Sequence, residues 1–330
     1  MKKILNFLFE HKTLSRQQAR EVLVNISNGI YNESEIASFI TVYLMRSITI
    51  GELQGFRDAL LELCVPAELN EFETMDIVGT GGDGKNTFNI STLSCFIVAG
   101  AGQKIAKHGN YGASSISGSS NVMESLGYQF KNESTVLKKE LEEAGICFLH
   151  APLFHPALKA VGAIRKNLGV RTFFNMLGPM VNPASPTFQL IGVYNLEMAR
   201  IYNYLLQQTE KKFTIIHSLD GYDEISLTGD TKVITNAGER IMTAEQLGKR
   251  TVNAMDISGG NSVEEAAKIF AKILKGEGTW PQNAVVLANA AMALYSTGKF
   301  ENYDTAYQLA VESLESGKAN DCFQRLIKMQ

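Results

Sequence analysis

Apolar positions over the first 66 residues recur at helical spacing, and each run has a recognisable start. Ser15-Arg16-Gln17-Gln18 is a capping box opening a helix that ends near Asn28-Gly29. Ser34 opens another through Ile36, Phe39, Ile40, Tyr43 and Leu44, and a third spans Gly51 to Cys64 and stops at Pro66. The period then changes. Thr74-Met75-Asp76-Ile77-Val78 is a short apolar run closed by glycine, which predicts a buried strand. Further strand-like runs at 104–106, 146–149, 189–194 and 213–217 alternate with helical patterns at 92–101, 134–144, 156–168 and 197–208. Such alternation predicts an α/β domain with a mostly parallel central sheet flanked by helices, beside a small all-helical domain. Pro179, Pro183 and Pro186, just after Gly178, mark a crossing between structural units rather than a continuing helix. Short β-prone pieces follow at 225–227, 232–235 and 240–242, then amphipathic helices at 262–275, 283–295 and 305–316. No internal repeat or low-complexity segment is evident.

Composition narrows the class. Of the 330 residues 45% are hydrophobic and 20% charged, which is incompatible with disorder, coiled coil or collagen and predicts one large or two medium domains. A net charge of −3 argues against a nucleic-acid binder, which needs a basic face to displace counterions. The longest apolar runs, such as Cys95 to Gly102, are far too short to cross a bilayer. The start, Met1-Lys2-Lys3-Ile4-Leu5, faintly imitates a signal peptide, but Glu10, His11 and Lys12 cut it short, so a cytoplasmic protein is expected. Cys64, Cys95, Cys147 and Cys322 have no metal-ligand spacing and read as buried thiols, suited to a reducing compartment.

Ten glycines fall within the 49 residues from Gly79 to Gly127. The loop Gly79-Thr80-Gly81-Gly82-Asp83-Gly84-Lys85-Asn86 follows a predicted strand and precedes a predicted helix, where open α/β sheets hold ligands. Gly79, Gly81 and Gly84 satisfy the dinucleotide fingerprint, yet the acidic ribose ligand about 20 residues on is missing, because the 40 residues from Gly84 to Met123 contain no Asp or Glu. Gly79, Gly84 and Lys85 approach a P-loop, but Asn86 stands where Ser or Thr would hold magnesium. A third reading is an anion cradle: inward backbone N–H groups of Gly79 to Gly84, donors from Thr87 and Asn89, and a helix start at Ser91-Thr92. Asp83, the one carboxylate in the loop, suits a ligand with sugar hydroxyls or metal-bound water. A plain strand-to-helix turn is the alternative. Lys107-His108-Gly109-Asn110 and Ser114-Ser115 to Gly118-Ser119-Ser120 repeat the pattern after a second strand, so a ligand with phosphates at both ends would be gripped from two sides; taken singly, Lys107 reads as a surface charge and His108 as a core histidine.

These blocks, with Ala151-Pro152, His155-Pro156-Ala157, Arg165-Lys166 to Arg171-Thr172, Phe174-Asn175 to Gly178-Pro179, and Asp223-Glu224-Ile225-Ser226-Leu227, occur in the order and spacing of a known family. The chain resembles the anthranilate phosphoribosyltransferases over nearly its whole length. The resemblance implies a magnesium-dependent transfer of phosphoribose from 5-phosphoribosyl 1-diphosphate to the amine of anthranilate. It places the phosphoribosyl donor on Gly79, Gly82, Asp83, Thr87, Asn89, Ile90, Ser91, Thr92, the stretch Lys107, His108, Gly109, Asn110, Tyr111, Gly112, Ala113, Ser114, Ser115, and Ser119. Two magnesium ions are implied, one on Ser91 and Glu224, the other on Asp223 with Glu224. Anthranilate is implied to meet Gly79, Asn110 and Arg165, walled by His108, His155, Gly178 and Pro179. No acid–base residue is expected; Lys107, Asn110 and Arg165 act by positioning and charge stabilisation. Without the family, Asp223-Glu224 reads as a solvated acidic turn and Arg165 as a helix-surface arginine.

The resemblance also implies a homodimer through the helical domain, no nucleic-acid or membrane partner, and substrates held in a cleft between the domains. The domains are expected at 1–70, joined by a returning segment at about 160–185, and at 71–159 with 186–330. Two departures stand out. Ser120-Asn121 replaces the family's usual Ala-Asp, and Gly162-Ala163 replaces a proline-bearing step before Ile164-Arg165. Asn remains a competent capping residue, so the first loop is expected to survive; the second change is expected to loosen the helix carrying Arg165. A pyrimidine nucleoside phosphorylase and a non-catalytic nucleic-acid binder of the same fold are the rivals, disfavoured by the blocks from Arg165 to Pro179 and by the Asp223-Glu224 pair respectively.

Overall fold

The computed structural model describes residues 1–112 and 115–330, which form two compact units: residues 1–66 with 151–183, and residues 67–150 with 184–330. The first unit is all helical. It contains α1 (Lys2–Phe9), α2 (Arg16–Ser27), α3 (Glu33–Met45), α4 (Ile50–Glu62), α8 (Ala151–Phe154), α9 (Pro156–Leu168) and α10 (Phe174–Leu177). Each of α2, α3 and α4 begins at a reciprocal capping box, Ser15/Gln18, Asn32/Glu35 and Thr49/Glu52. The third helix of the set is thus capped by Thr49 and begins at Ile50 rather than Gly51, and the second is capped by Asn32 and begins at Glu33 rather than Ser34, because each box satisfies two of the end N–H groups. Phe39, Tyr43, Phe56 and Phe173 form the core, with Phe56 and Phe173 stacked at 4.6 Å. α9 packs on α2 and α3, and Val65 N–H donates to the Phe154 carbonyl at 2.8 Å.

The second unit is built on seven strands, β1 (Met75–Gly79), β2 (Ile105–Gly109), β3 (Ile146–His150), β4 (Phe188–Gly192), β5 (Lys212–Ser218), β6 (Thr231–Thr235) and β7 (Gly238–Met242), in the order β3-β2-β1-β4-β5-β6-β7. The first five are parallel; β6 and β7 add an antiparallel hairpin at one edge. The helices are α5 (Ile90–Gly100), α6 (Ser119–Ser125), α7 (Ser134–Ala144), α11 (Leu196–Leu206), α12 (Ala244–Gly248), α13 (Val263–Leu274), α14 (Trp280–Ser296), α15 (Tyr303–Glu315) and α16 (Lys318–Lys328). α5 and α14, both largely apolar and buried, pack together against the sheet. The fold is therefore the expected combination of a small helical domain and a larger, mostly parallel α/β domain.

One expected strand is a loop. Ile225 to Leu227 is buried and apolar but not extended: Leu227 sits at φ +58°, and both backbone groups of Ile225 bond to the Asn289 side chain instead of a neighbouring strand. α16, absent from the sequence reading, carries Ala319, Cys322, Phe323 and Leu326 on its buried face.

Candidate active site

The site is assembled over the carboxyl ends of β1, β4 and β5, where an open parallel sheet leaves backbone unpaired and a ligand can enter. β1 delivers Gly79 and then a turn in which Gly81, Gly82 and Gly84 adopt φ of +64°, +76° and +74°, a conformation that side chains resist. The turn runs into α5, with Asn89 at its N-cap and Ser91 in its first turn. The turn is clasped from outside by the segment 257–260: Gly259 N–H donates to the Asn86 carbonyl at 2.8 Å, Asn86 Nδ2 to the Gly260 carbonyl at 2.8 Å, and Thr87 bridges Ser258. Sequence reading gave no sign of this clasp.

Two loop amides do not turn inward as expected. Thr80 N–H donates to the Gly192 carbonyl at 2.9 Å, and Gly81 N–H to Asp223 Oδ2 at 2.6 Å. The second bond brings in the acidic pair from 142 residues away. Ser91 N–H donates to Glu224 Oε1 at 2.9 Å, so the start of α5 holds the other carboxylate. Asp83, Asp223 and Glu224 thus converge. Burial raises Asp83; burial and then the Asp83 charge push Asp223 up to about 7; burial and then Asp223 push Glu224 well above the usual carboxylate range. Three crowded carboxylates with a nearby serine are an all-oxygen donor set that a divalent cation relieves, and magnesium fits it. Among the described residues no group of three or more His, Cys, Asp or Glu side chains is placed to hold a metal ion by itself.

Lys107, on β2, is 2% exposed, and its ammonium donates to the Ile77 carbonyl at 2.7 Å. It is a core lysine rather than a surface one, and its charge acts on Glu224. His108 is buried, with its backbone N–H donating to Asp76 Oδ1 at 3.2 Å. Gly109 leads to exposed Asn110, whose Oδ1 accepts from Tyr111 N–H at 2.8 Å. Asn121 Oδ1 accepts from Gly112 N–H at 2.9 Å and Gly118 N–H at 3.0 Å, closing the loop that ends at Ser119, so the departure from aspartate keeps its acceptor. Asn89 Nδ2 donates to the Ser117 carbonyl at 3.0 Å, tying the two loops together. Gly82, Thr87, Ile90, Thr92, Tyr111, Gly112, Ser115 and Ser119 line these same turns and helix starts. Ala113 and Ser114, also expected donor contacts, lie outside the described residues.

The remaining expected residues belong to the helical unit. Arg165, on α9, lies over the Phe174 ring at 5.3 Å and donates to Asn175 Oδ1 at 3.3 Å; burial lowers its pKa. His155 caps the start of α9, and burial pushes it down to about 4. Gly178 and Pro179 form a 3₁₀ turn, Gly178–Met180.

Comparison with known proteins gives one consistent result. Residues 71–320 match the model of the glycosyl transferase family a/b domain, and residues 2–64 that of the family's helical bundle domain. An anthranilate phosphoribosyltransferase of Flavobacterium psychrophilum is 60% identical over 99% of this chain and 98% of its own. Among solved structures, the anthranilate phosphoribosyltransferase of Thermus thermophilus superposes with a TM-score of 0.90 at 31% identity, covering 98% of each chain. That of Saccharomyces cerevisiae, in complex with PRPP and Mg, superposes at 0.88 with 27% identity over 96% of this chain and 93% of that one, and it is also known with 4-fluoroanthranilate.

Proposed function

We infer the activity from one premise: the chain belongs to the anthranilate phosphoribosyltransferase family. It is a pentosyltransferase of tryptophan biosynthesis that moves the 5-phosphoribosyl group of 5-phosphoribosyl 1-diphosphate onto the amine of anthranilate, releasing diphosphate. The observation that carries the site assignment is the convergence of Asp83, Asp223 and Glu224 on the glycine turn and the start of α5.

In this reading the enzyme uses magnesium, with two ions held by Asp223, Glu224 and Ser91, and the metal supplies charge to balance the departing diphosphate. The glycine turn, Thr87, Asn89 to Thr92, and the loop from Lys107 to Ser119 bind the donor. Lys107, held by Ile77, adds a fixed positive charge near the leaving group. Anthranilate's aromatic amine is neutral at pH 7 and attacks the electron-poor ribose carbon without a base, so the protein's share is orientation and exclusion of water. Asn110, His108, Arg165, His155, Gly178 and Pro179 are the residues this reading assigns to the acceptor. A half-buried guanidinium with an amide, rather than a carboxylate, against it suits an aromatic carboxylate.

Two broader readings accompany this one. The enzyme is a homodimer through its helical unit, supported by the exposed Phe9, Leu44 and Met45 there. It works in the cytoplasm, in keeping with four free cysteines. Among the described residues no helix is long and apolar enough to cross a membrane.

A magnesium titration of the Asp223→Ala/Glu224→Ala double variant tests the assignment. Turnover should fall and need more magnesium; normal activity across the titration would overturn it.

A further inference from the structure

The run Val285-Val286-Leu287-Ala288-Asn289-Ala290-Ala291-Met292-Ala293-Leu294 in α14 is apolar except for one amide. Asn289 is 2% exposed, and an amide in such surroundings is costly unless every polar atom is used. Its partners are specific. Asn289 Oδ1 accepts from Ile225 N–H at 3.0 Å, while Nδ2 donates to the Ile225 carbonyl at 2.8 Å and to the Val285 carbonyl at 2.9 Å. The side chain pairs with Ile225 as a neighbouring strand would, and its second donor bond anchors that pairing to a rigid buried helix.

Ile225 directly follows Glu224. On the other side, Ser218 Oγ at the end of β5 donates to the Glu224 carbonyl at 2.6 Å, and Ser226 N–H bonds back to Ser218 Oγ at 3.2 Å. The backbone on which the Glu224 carboxylate hangs is therefore fixed by two buried side chains from different elements. Without Asn289 the buried N–H and carbonyl of Ile225 lose their partners and the segment must shift to find others.

We propose that Asn289 is a positioning residue for magnesium use: by clamping the Ile225 backbone to α14 it sets the Asp223-Glu224 carboxylates against the glycine turn and α5. This rests on the reading of that pair as the metal site. Asn289 touches no substrate and acts through Glu224.

The test compares Asn289→Ala and Asn289→Ser with Glu224→Gln in the full-length protein. Two readouts are used: the magnesium concentration giving half-maximal rate, alongside KM for anthranilate, and amide hydrogen exchange across residues 223–226 without ligand. The Asn289 variants should exchange at least tenfold faster in that segment and need at least tenfold more magnesium, with KM for anthranilate changed less than twofold. In the Glu224→Gln background, Asn289→Ala should shift the magnesium requirement no further. Parental exchange and an unshifted magnesium requirement, or a fall in kcat alone, would overturn the proposal, as would failure of both Asn289 variants to fold. If Glu224→Gln leaves the magnesium requirement unchanged, the metal reading of the pair fails, and the exchange data alone decide whether Asn289 holds the segment.

Discussion

Gly79 and Gly192 face each other in register at the ends of β1 and β4, and a Cβ placed on either would run into Asp223. On Gly79 the clash is with the Asp223 carboxylate; on Gly192 it is with the Asp223 backbone, which has no side-chain freedom to move aside. The paired glycines lower the sheet edge so that the acidic segment can cross it. Gly192→Ala should therefore displace Asp223, costing about 1–3 kcal/mol of stability and most of the activity. Urea unfolding and turnover measured together check this; an alanine variant with parental turnover would contradict it.

Gly162 gives the opposite expectation. It lies in α9, exposed, with open space where a Cβ would go and no left-handed backbone. Gly162→Ala should stabilise the protein by about 0.5–1 kcal/mol, read as a higher urea midpoint with an unchanged slope. A lower midpoint would show that the helix before Arg165 needs its glycine.

Much of this architecture was legible in the chain. Short apolar runs marked β1 to β5, that of β1 closed by glycine, because strands buried on both faces leave that trace. The capping boxes were partly legible: Ser15/Gln18 stood out, while Asn32/Glu35 and Thr49/Glu52 were masked by Ser34 and Gly51 nearby. α16 had a readable signal in Ala319, Cys322, Phe323 and Leu326. The loop at Ile225 to Leu227 did not, since its apolar residues are buried as a strand's would be and what denies it a ladder is Asn289, 64 residues on. The same distance hid the structure of the site. Local pattern marked the glycine turn and the acidic pair separately; that Gly81 and Ser91 grip Asp223 and Glu224 is a tertiary fact. A single amide inside an apolar helix was the available clue to Asn289.

His155 should leave a pH signature. Its ordinary value is 6.5 and burial holds it near 4 in the folded chain, so between those values the unfolded chain binds the proton and the folded chain does not. The stability it contributes is whole above pH 6.5 and is lost as pH falls toward 4, about 2 kcal/mol of it by pH 5. Urea unfolding at pH 7 and pH 5 should show the parent losing that much more than His155→Gln. Equal losses would contradict it.

Arg165→Ala should raise KM for anthranilate at least tenfold while changing KM for the phosphoribosyl donor less than twofold. Steady-state kinetics in each substrate separate these effects. A selective rise for the donor would move Arg165 out of the acceptor site.

Met45, at the end of α3, is 84% exposed beside the exposed Leu44. Met45→Lys should weaken the dimer at least tenfold, about 1.4 kcal/mol, and light scattering on a size-exclusion column reads the change in mass. A parent that is already monomeric, or a variant of unchanged mass, would contradict the dimer reading.

The proposed activity joins phosphoribose to anthranilate with magnesium at the Asp223-Glu224 pair. Anthranilate fluorescence, followed after mixing the purified protein with 5-phosphoribosyl 1-diphosphate and magnesium, tests it most directly. The expected result is a loss of signal that scales with enzyme concentration, stops when magnesium is chelated, and is strongly reduced in the Asp223→Ala/Glu224→Ala variant. A signal that stays constant at every enzyme concentration, or a loss that neither chelation nor the double substitution slows, would contradict it.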